Sequence, residues 1–307
     1  MDSVLEGEIL MARETTGSHR AGFYLLGALL LAFYHPLLGA KDPKIKAEEL
    51  VAKHLESIGT AEARAAAKNR TASGVAQVTF HMPKPGQLGG IGTFLSEGRM
   101  MRIAMKFGAP DHQGEQFVFD GKSVDVGQLR LRVRSHLAQF VYDHSILLKE
   151  GLMGGTMTTA WPLLDLAGRQ PKLDYTGLKK VDGKSLLEVK YRAKKDPGDV
   201  QVALYFDPET FRHVYSEYRL IVRAMMVQGK DEMGKTLPDT SSQNDAYYKI
   251  QEWFDDFRTV DSLSLPHGYK LSFNRRGSGE AVIFDYSNAF TQILHNQAID
   301  PKAFVIQ

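Results

Sequence analysis

Gly98 to Gly108 reads GRMMRIAMKFG. Met101, Ile103, Met105 and Phe107 alternate with Met100, Arg102, Ala104 and Lys106. A period of two puts the first set on one face of a strand and the second on the other. The same period starts upstream at Gly74, where Ala76, Val78, Phe80 and Met82 alternate with Val75, Gln77, Thr79 and His81. Between the two runs lies KPGQLGGIG, Lys84 to Gly92, which its glycine and proline content marks as a loop. Downstream, QFVFDGKSVDV carries Asp120-Gly121 between two extended runs, a hairpin signal. LEVKYR, VQVALYF and FRHVYSEYRLIV continue the pattern, and Asp207-Pro208 turns the last two into a hairpin. YYKIQEWFDDF, YKLSF and AVIFDYS add three more strands near the end. Pro266 must then sit at a strand start, an edge or a bulge, because it cannot donate to a ladder.

Helices frame this ladder. Pro43 fits a first turn, Ile45, Leu50, Val51, His54, Leu55 and Ile58 recur at helical spacing, and Gly59 closes the run. AEARAAAK, Ala61 to Lys68, is a second short helix of high intrinsic propensity. In the middle, Ser135 to Glu150 reads as a helix with Ser135 as its N-cap and Gly151 as its stop. Thr156 to Leu166 is a shorter apolar segment containing Trp161, and Met225 to Asn244 reads as a long mobile loop. About ten strands in hairpin order, with few crossovers, predict a mainly β fold with some α. The expected architecture is one strongly curved antiparallel sheet, an incomplete β-barrel, with helices covering its mouth.

The N-terminus bears on location. An apolar run of fourteen residues, Ala21 to Tyr34, follows His19 and Arg20; Pro36 breaks it, and Leu38-Gly39-Ala40 ends in small residues. Basic flank, short apolar core and small-residue site form the layout of a secretory signal. A spanning helix needs roughly 20 apolar residues. Against this layout, Leu38 is large for its place, and the leader Met1 to Arg20 holds Asp2, Glu6, Glu8 and Glu14. A start at Met11 gives a more ordinary leader. The expected organisation is a signal peptide over 1–40 and a single domain over 41–307, with a helical insertion about 135–167. Periplasmic export is the leading reading, an N-terminal anchor in the inner membrane the alternative.

Composition narrows the chemistry. The chain has 38 basic and 36 acidic residues, and beyond position 40 the balance is 36 against 32. No basic block points to nucleic acid; RLRVR, Arg130 to Arg134, is the solvated face of a strand. With no cysteine, disulfides, thiolate nucleophiles and Cys-ligated metals are absent, as is the cysteine that would lipidate an exported lipoprotein. Gly121-Lys122-Ser123 and Gly183-Lys184-Ser185 lack the upstream glycine of a phosphate loop, where Gln116 and Leu178 stand instead, and read as hairpin turns. The ten histidines form no close ligand pair. Asp255-Asp256 point to opposite faces of a strand and read as a solvated strand end. Asn69-Arg70-Thr71 matches a glycosylation acceptor that is common by chance. No cofactor or metal is expected, and no acid–base or nucleophile constellation is visible.

The positive signal is apolar. Met101, Ile103, Met105, Phe107, Phe117, Phe119, Leu204 and Trp253 are the candidates for lining a ligand cavity. Methionine is deformable and suits surfaces that accept variable apolar ligands. The plain alternative is an ordinary core.

The overall order also resembles a family. It runs from an export signal through AEELVAKHLESIG and the strand ladder to YFDPETFRHVYSEYRL, FDDFRTVDSLSLPHGYKL and HNQAIDPKAFVI. This layout resembles the outer-membrane lipoprotein-sorting carriers of the LolA/LolB type over about Ala47 to Ile306. The resemblance implies an incomplete barrel whose apolar interior holds acyl chains under a helical lid. Asp207, Pro208, Val260, Leu265, Pro266 and Phe304 match it as turn and packing residues. It also implies an arginine that closes the lid. Arg70, Arg99 and Arg102 lie in the right region, but the proline that usually follows is absent, so the role falls on none of them from sequence. The expected function is a non-catalytic periplasmic protein that binds lipid or lipoprotein acyl chains, acting as a monomer with a membrane-associated partner protein. The alternative is a sensor or scaffold of the same fold. A carrier's cavity should be large, continuous and apolar; a scaffold's should be filled by side chains.

If the signal is cleaved after Ala40, N-terminal sequencing of protein from the periplasmic fraction begins at Lys41. A cytoplasmic protein starting at Met1 or Met11 would sink the export reading.

Overall fold

A strand with one apolar face must bury that face, and its backbone groups must find partners on neighbouring strands. The computed structural model shows how the chain meets both demands for residues 45–127, 133–223, 245–277, 279 and 281–306, the residues it describes. The signal segment expected at 1–40, the loop expected at 225–244 and Arg130 to Arg132 of RLRVR lie outside them. Two helices open the described chain: α1 (Ala47–Ile58), which buries Leu50, Val51, His54 and Ile58, and α2 (Ala61–Ala66). The Thr60 side chain caps α2 by accepting from the Ala63 N–H. Then come β1 (Asn69–Met82), β2 (Gly86–Glu97), β3 (Met100–Ala109), β4 (His112–Phe119) and β5 (Val124–Val126). A helical segment follows, with α3 (His136–Asp143), α4 (Ile146–Lys149), 3₁₀ turns at Gly155–Met157 and Pro162–Asp165, and α5 (Leu166–Arg169). The chain returns through β6 (Lys172–Val181), β7 (Lys184–Arg192), β8 (Gln201–Phe206), β9 (His213–Val222), β10 (Ala246–Val260), β11 (Leu263–Arg276) and β12 (Val282–His295). A 3₁₀ turn, Pro301–Phe304, closes it.

Among the described residues all twelve strands form one antiparallel sheet in the order β5-β4-β3-β2-β1-β12-β11-β10-β9-β8-β7-β6. The sheet does not close. Its edges are β5 and β6, the two strands that the helical segment joins. It is strongly curled, and side-chain distances show how strongly. β2 and β11 are three strand spacings apart, about 14 Å in a flat sheet, yet the Phe94 and Tyr269 rings are 4.9 Å apart. β4 and β12 are four spacings apart, yet the Tyr286 hydroxyl donates to Glu115 at 2.8 Å.

The turns follow their sequence chemistry. Asp182 and Gly183 adopt φ of 47° and 81°, the left-handed pair that a two-residue hairpin needs, between Val181 and Lys184. The Asp120 carboxylate accepts from the Lys122 and Ser123 N–H groups. Both GKS runs are therefore turns. Asp207 accepts in the same way from Glu209 and Thr210 between β8 and β9. Pro266 lies in the part of β11 that pairs with β10 alone; pairing with β12 begins at Gly268. Asp255 and Asp256 are exposed, and Asp256 pairs with Arg258.

Four expectations need correcting. β1 starts at Asn69 rather than Gly74, and the ladder has twelve strands rather than about ten. The glycine-rich run is not a loop beyond Gly86 but most of β2. A Cβ on Gly90 would stand 2.0 Å from the Lys106 carbonyl oxygen, and one on Gly92 would stand 1.9 Å from the Asn288 side-chain oxygen. These glycines admit neighbours over a tight bend, which composition alone reads as a breaker. The helix expected at 135–150 is split at His144 (φ −112°, ψ 54°), and the redirected chain buries both Leu147 and Leu148.

Gly90→Ala meets backbone, which cannot step aside. A loss of about 1–3 kcal/mol is expected, read as a lower midpoint in urea unfolding. An unchanged midpoint would mean that the bend tolerates a side chain.

Candidate functional site: the covered concave face

Period two sends alternate residues of every strand into the hollow of the curled sheet. Met101, Ile103, Met105, Phe107, Phe117, Phe119 and Leu204 all lie there, buried in one continuous core with α1, α3 and the helical segment. Trp253 does not join them. It sits half-buried on the outer face with Leu186, Tyr205 and Tyr215, and its indole N–H donates to Asp182. The structure thus brings seven of the eight candidates together. Met101, Ile103, Met105, Phe117 and Leu204 have no exposed surface, and Asn288 Nδ2 lies 3.4 Å from the Met105 sulfur.

The segment over this face carries Leu152, Met153, Met157, Trp161 and Leu163 inward. Polar bonds register it against the sheet. Glu252, between the inward Ile250 and Phe254, is fully buried. It accepts from the Gly154 N–H at 2.8 Å, from Tyr218 at 2.7 Å and from Tyr269 at 2.7 Å. Burial raises its pKa, and these three donors pull it back. Tyr218 also bonds the Leu152 carbonyl at 2.9 Å. Ser96 accepts from the Thr159 N–H at 2.8 Å. Arg70 donates Nη1 to the Thr156 carbonyl and Nε to His295, which in turn bonds Asp261. Burial lowers the Arg70 pKa to about 10, with no carboxylate beside it to offset the cost. Arg99 pairs with Asp165 on the exposed rim. Arg102 reaches Gln116 and the Ala303 carbonyl, away from the cover. Of the three early arginines, Arg70 is the buried one that ties sheet to cover.

Two histidines sit in the interior. The Trp161 indole N–H donates to His54 Nε2 at 3.1 Å, so His54 Nδ1 carries the proton given to the Phe211 carbonyl. Burial lowers this ring to about 4 and keeps it neutral. His213 Nε2 lies 2.9 Å from Ser216 Oγ, a pairing that can look catalytic. Its Nδ1 has no partner, and both residues are fully buried. A nucleophile needs an oriented base and a path for substrate; this pair has neither. Among the described residues no three His, Asp or Glu side chains could hold a metal. Glu115, inward like Phe117 and Phe119, accepts from Tyr286, and burial raises its pKa to about 7.

Three cavities are found among the described residues. A cavity of 680 Å³ adjoins Tyr191, Ala193, Pro197 and Val202 beside β7 and β8. One of 390 Å³ lies between α2 and the cover, and one of 320 Å³ is on the outer face by Tyr215 and Lys249. None of the eight candidates borders any of these three. The sequence reading placed His54 on the apolar face of the first helix but passed over Glu115, Glu252 and His213. For the glutamates a signal existed: each interrupts an inward apolar series, 115/117/119 and 250/252/254.

No family model matches the chain, and no curated protein matches it. Solved structures do. A domain from Vibrio parahaemolyticus named as a candidate outer-membrane lipoprotein-sorting protein is 10% identical, with 85% of this chain and 97% of that one covered and a TM-score of 0.42. A LolA superfamily protein from Nitrosomonas europaea is 11% identical over 85% and 98%, at 0.39. A DUF1329 family protein from Desulfovibrio piger is 12% identical over 84% and 96%, at 0.44. Two of these names belong to the group that the sequence layout resembles. Likenesses this distant carry no residue role or activity over to this chain.

Glu115 titrates near 4.5 when exposed and near 7 here. Between those values the folded state keeps a proton that the unfolded state has lost, so its contribution to stability falls as pH rises from about 4.5 to about 7. Glu115→Gln removes that slope. The variant should gain on the wild type across this window by up to about 3 kcal/mol, read as the difference between their unfolding free energies at each pH. A difference independent of pH would place the Glu115 pKa in the ordinary range.

Proposed function

We propose that this chain is a non-catalytic periplasmic binding protein that holds a lipid, or the acyl chains of a lipoprotein, on the concave face and carries them between membranes. One observation carries the reading. A continuous apolar sheet face that includes Met101 and Met105 is covered by short helices and 3₁₀ turns that take no part in the sheet. A bound chain would replace the apolar side chains of the cover on the same face. Burial would then be exchanged rather than lost, at about 0.8 kcal/mol per CH₂. The balance falls to the polar bonds that register the cover, each worth about 1 kcal/mol. The lid arginine implied by the family resemblance would be Arg70, whose bond to Thr156 closes the cover.

A second reading has its own support. The seven inward candidates are fully packed, as in a sensor or scaffold that binds a partner protein by its outer face.

Met105→Gln separates the two. In the carrier the wild type binds a fluorescent fatty-acyl probe and the variant binds it more weakly, whatever the change costs the packed form in stability. In the scaffold the wild type binds no probe, and the variant loses roughly 2–5 kcal/mol of stability as a packed core residue does.

A further inference from the structure

The tie between sheet and cover ends on a histidine. Arg70 on β1 donates Nη1 to the Thr156 carbonyl and Nε to His295 Nε2, the second at 2.9 Å. A guanidinium only donates, so His295 Nε2 carries a lone pair and no proton. The ring's one proton then sits on Nδ1, which donates to Asp261 at 2.9 Å. The β10–β11 turn holds Asp261 there: Asp261 and Ser262 adopt φ of 48° and 66° between the paired Val260 and Leu263. The charged groups that act on the ring are Arg70 from β1 and Asp261 from this turn. The cover presents only a carbonyl to Arg70, and the segment after β12 adds the neutral Gln297, which bonds the His295 carbonyl.

A second proton on His295 breaks this arrangement. It occupies Nε2 and turns an acceptor into a donor. Two N–H groups then face each other across the former bond, and an imidazolium stands against a guanidinium. Asp261 bonds Nδ1 in either form and keeps the ring in place. Arg70 is therefore the member that moves, and moving takes Nη1 off Thr156. Burial lowers the His295 pKa below its ordinary 6.5; Arg70 adds to this and Asp261 works against it. Departure of Arg70 lifts one lowering effect, so the opened form binds the proton more tightly and falling pH favours opening. We propose that the cover is released by acid, with protonation of His295 expelling Arg70 and freeing the segment at Thr156. The device acts on the cover itself and stands whatever the concave face holds.

Two other groups bonded to the cover titrate. Glu252 accepts from Gly154, and burial raises its pKa, so acid favours its buried form and opposes opening. His54 accepts from Trp161, and burial lowers it to about 4, so it acts in the same direction as His295 and is the rival cause. Hydrogen exchange on the full chain separates them, read as protection of the peptide Met153 to Trp161 relative to unstructured-peptide rates. In the wild type, protection should fall as pH drops from about 8 to about 5, by up to about tenfold per pH unit for one proton. His295→Gln keeps an acceptor for Arg70 but takes up no proton, so its protection should hold across the range. Asp261→Asn changes an exposed residue and should move the fall to lower pH, because the charged ring loses its anion. The proposal is overturned if wild-type protection does not fall, if His295→Gln falls as the wild type does, or if Asp261→Asn falls at unchanged pH. The second result would hand the effect to His54. No lipid or probe enters this measurement, so its failure is distinct from a failure of the fatty-acyl probe to bind.

Discussion

Everything in this molecule depends on how tightly the sheet bends at β1 and β2. The inward positions there are Ala72, Gly74, Ala76, Gly90 and Gly92, opposite one another across the two strands. With so little side chain in the way, Phe107 and Asn288 pack directly over the backbone. The bend brings β4 within hydrogen-bonding reach of β12 and turns a twelve-stranded ribbon into a trough. A flat sheet of the same strands would leave one broad apolar face to cover. The trough makes that face narrow enough for α1 and a single helical segment.

Such a trough creates a second problem. The covering segment is short-range structure, and its backbone groups cannot join the ladder, so they must be satisfied inside an apolar volume. The chain places buried carboxylate, hydroxyl and guanidinium groups where the cover's backbone needs them: Glu252 at Gly154, Ser96 at Thr159, Tyr218 at Leu152 and Arg70 at Thr156. Each costs desolvation and each fixes position. Apolar contact alone would hold the cover without deciding where it sits.

The sequence made the ladder legible because period two survives in nearly every strand, and the hairpin turns at Asp182 and Asp207 carry their own chemistry. It misled at β2, where glycine serves space rather than a turn, and at His144, where no breaker marks the split. The inward face was legible for the same reason as the strands: Met101 through Phe119 are separated by even steps. Trp253 was misplaced by its apolar character, since parity alone sets it beside Glu252 on the opposite face. The buried polar groups were hidden because their partners come from far along the chain; Arg70 and Thr156 are 86 positions apart. Only the folded curve brings such pairs together.

The covering segment leaves the sheet at one edge and rejoins it at the other. It is therefore tethered at both ends and cannot diffuse away when displaced. A guest on the concave face, as proposed above, would compete with a strap held nearby at a high effective concentration, set by chain length and not by the surroundings. Its occupancy would be a contest with a resident rival, and a guest whose hold weakened would meet a strap already in place to take the surface back.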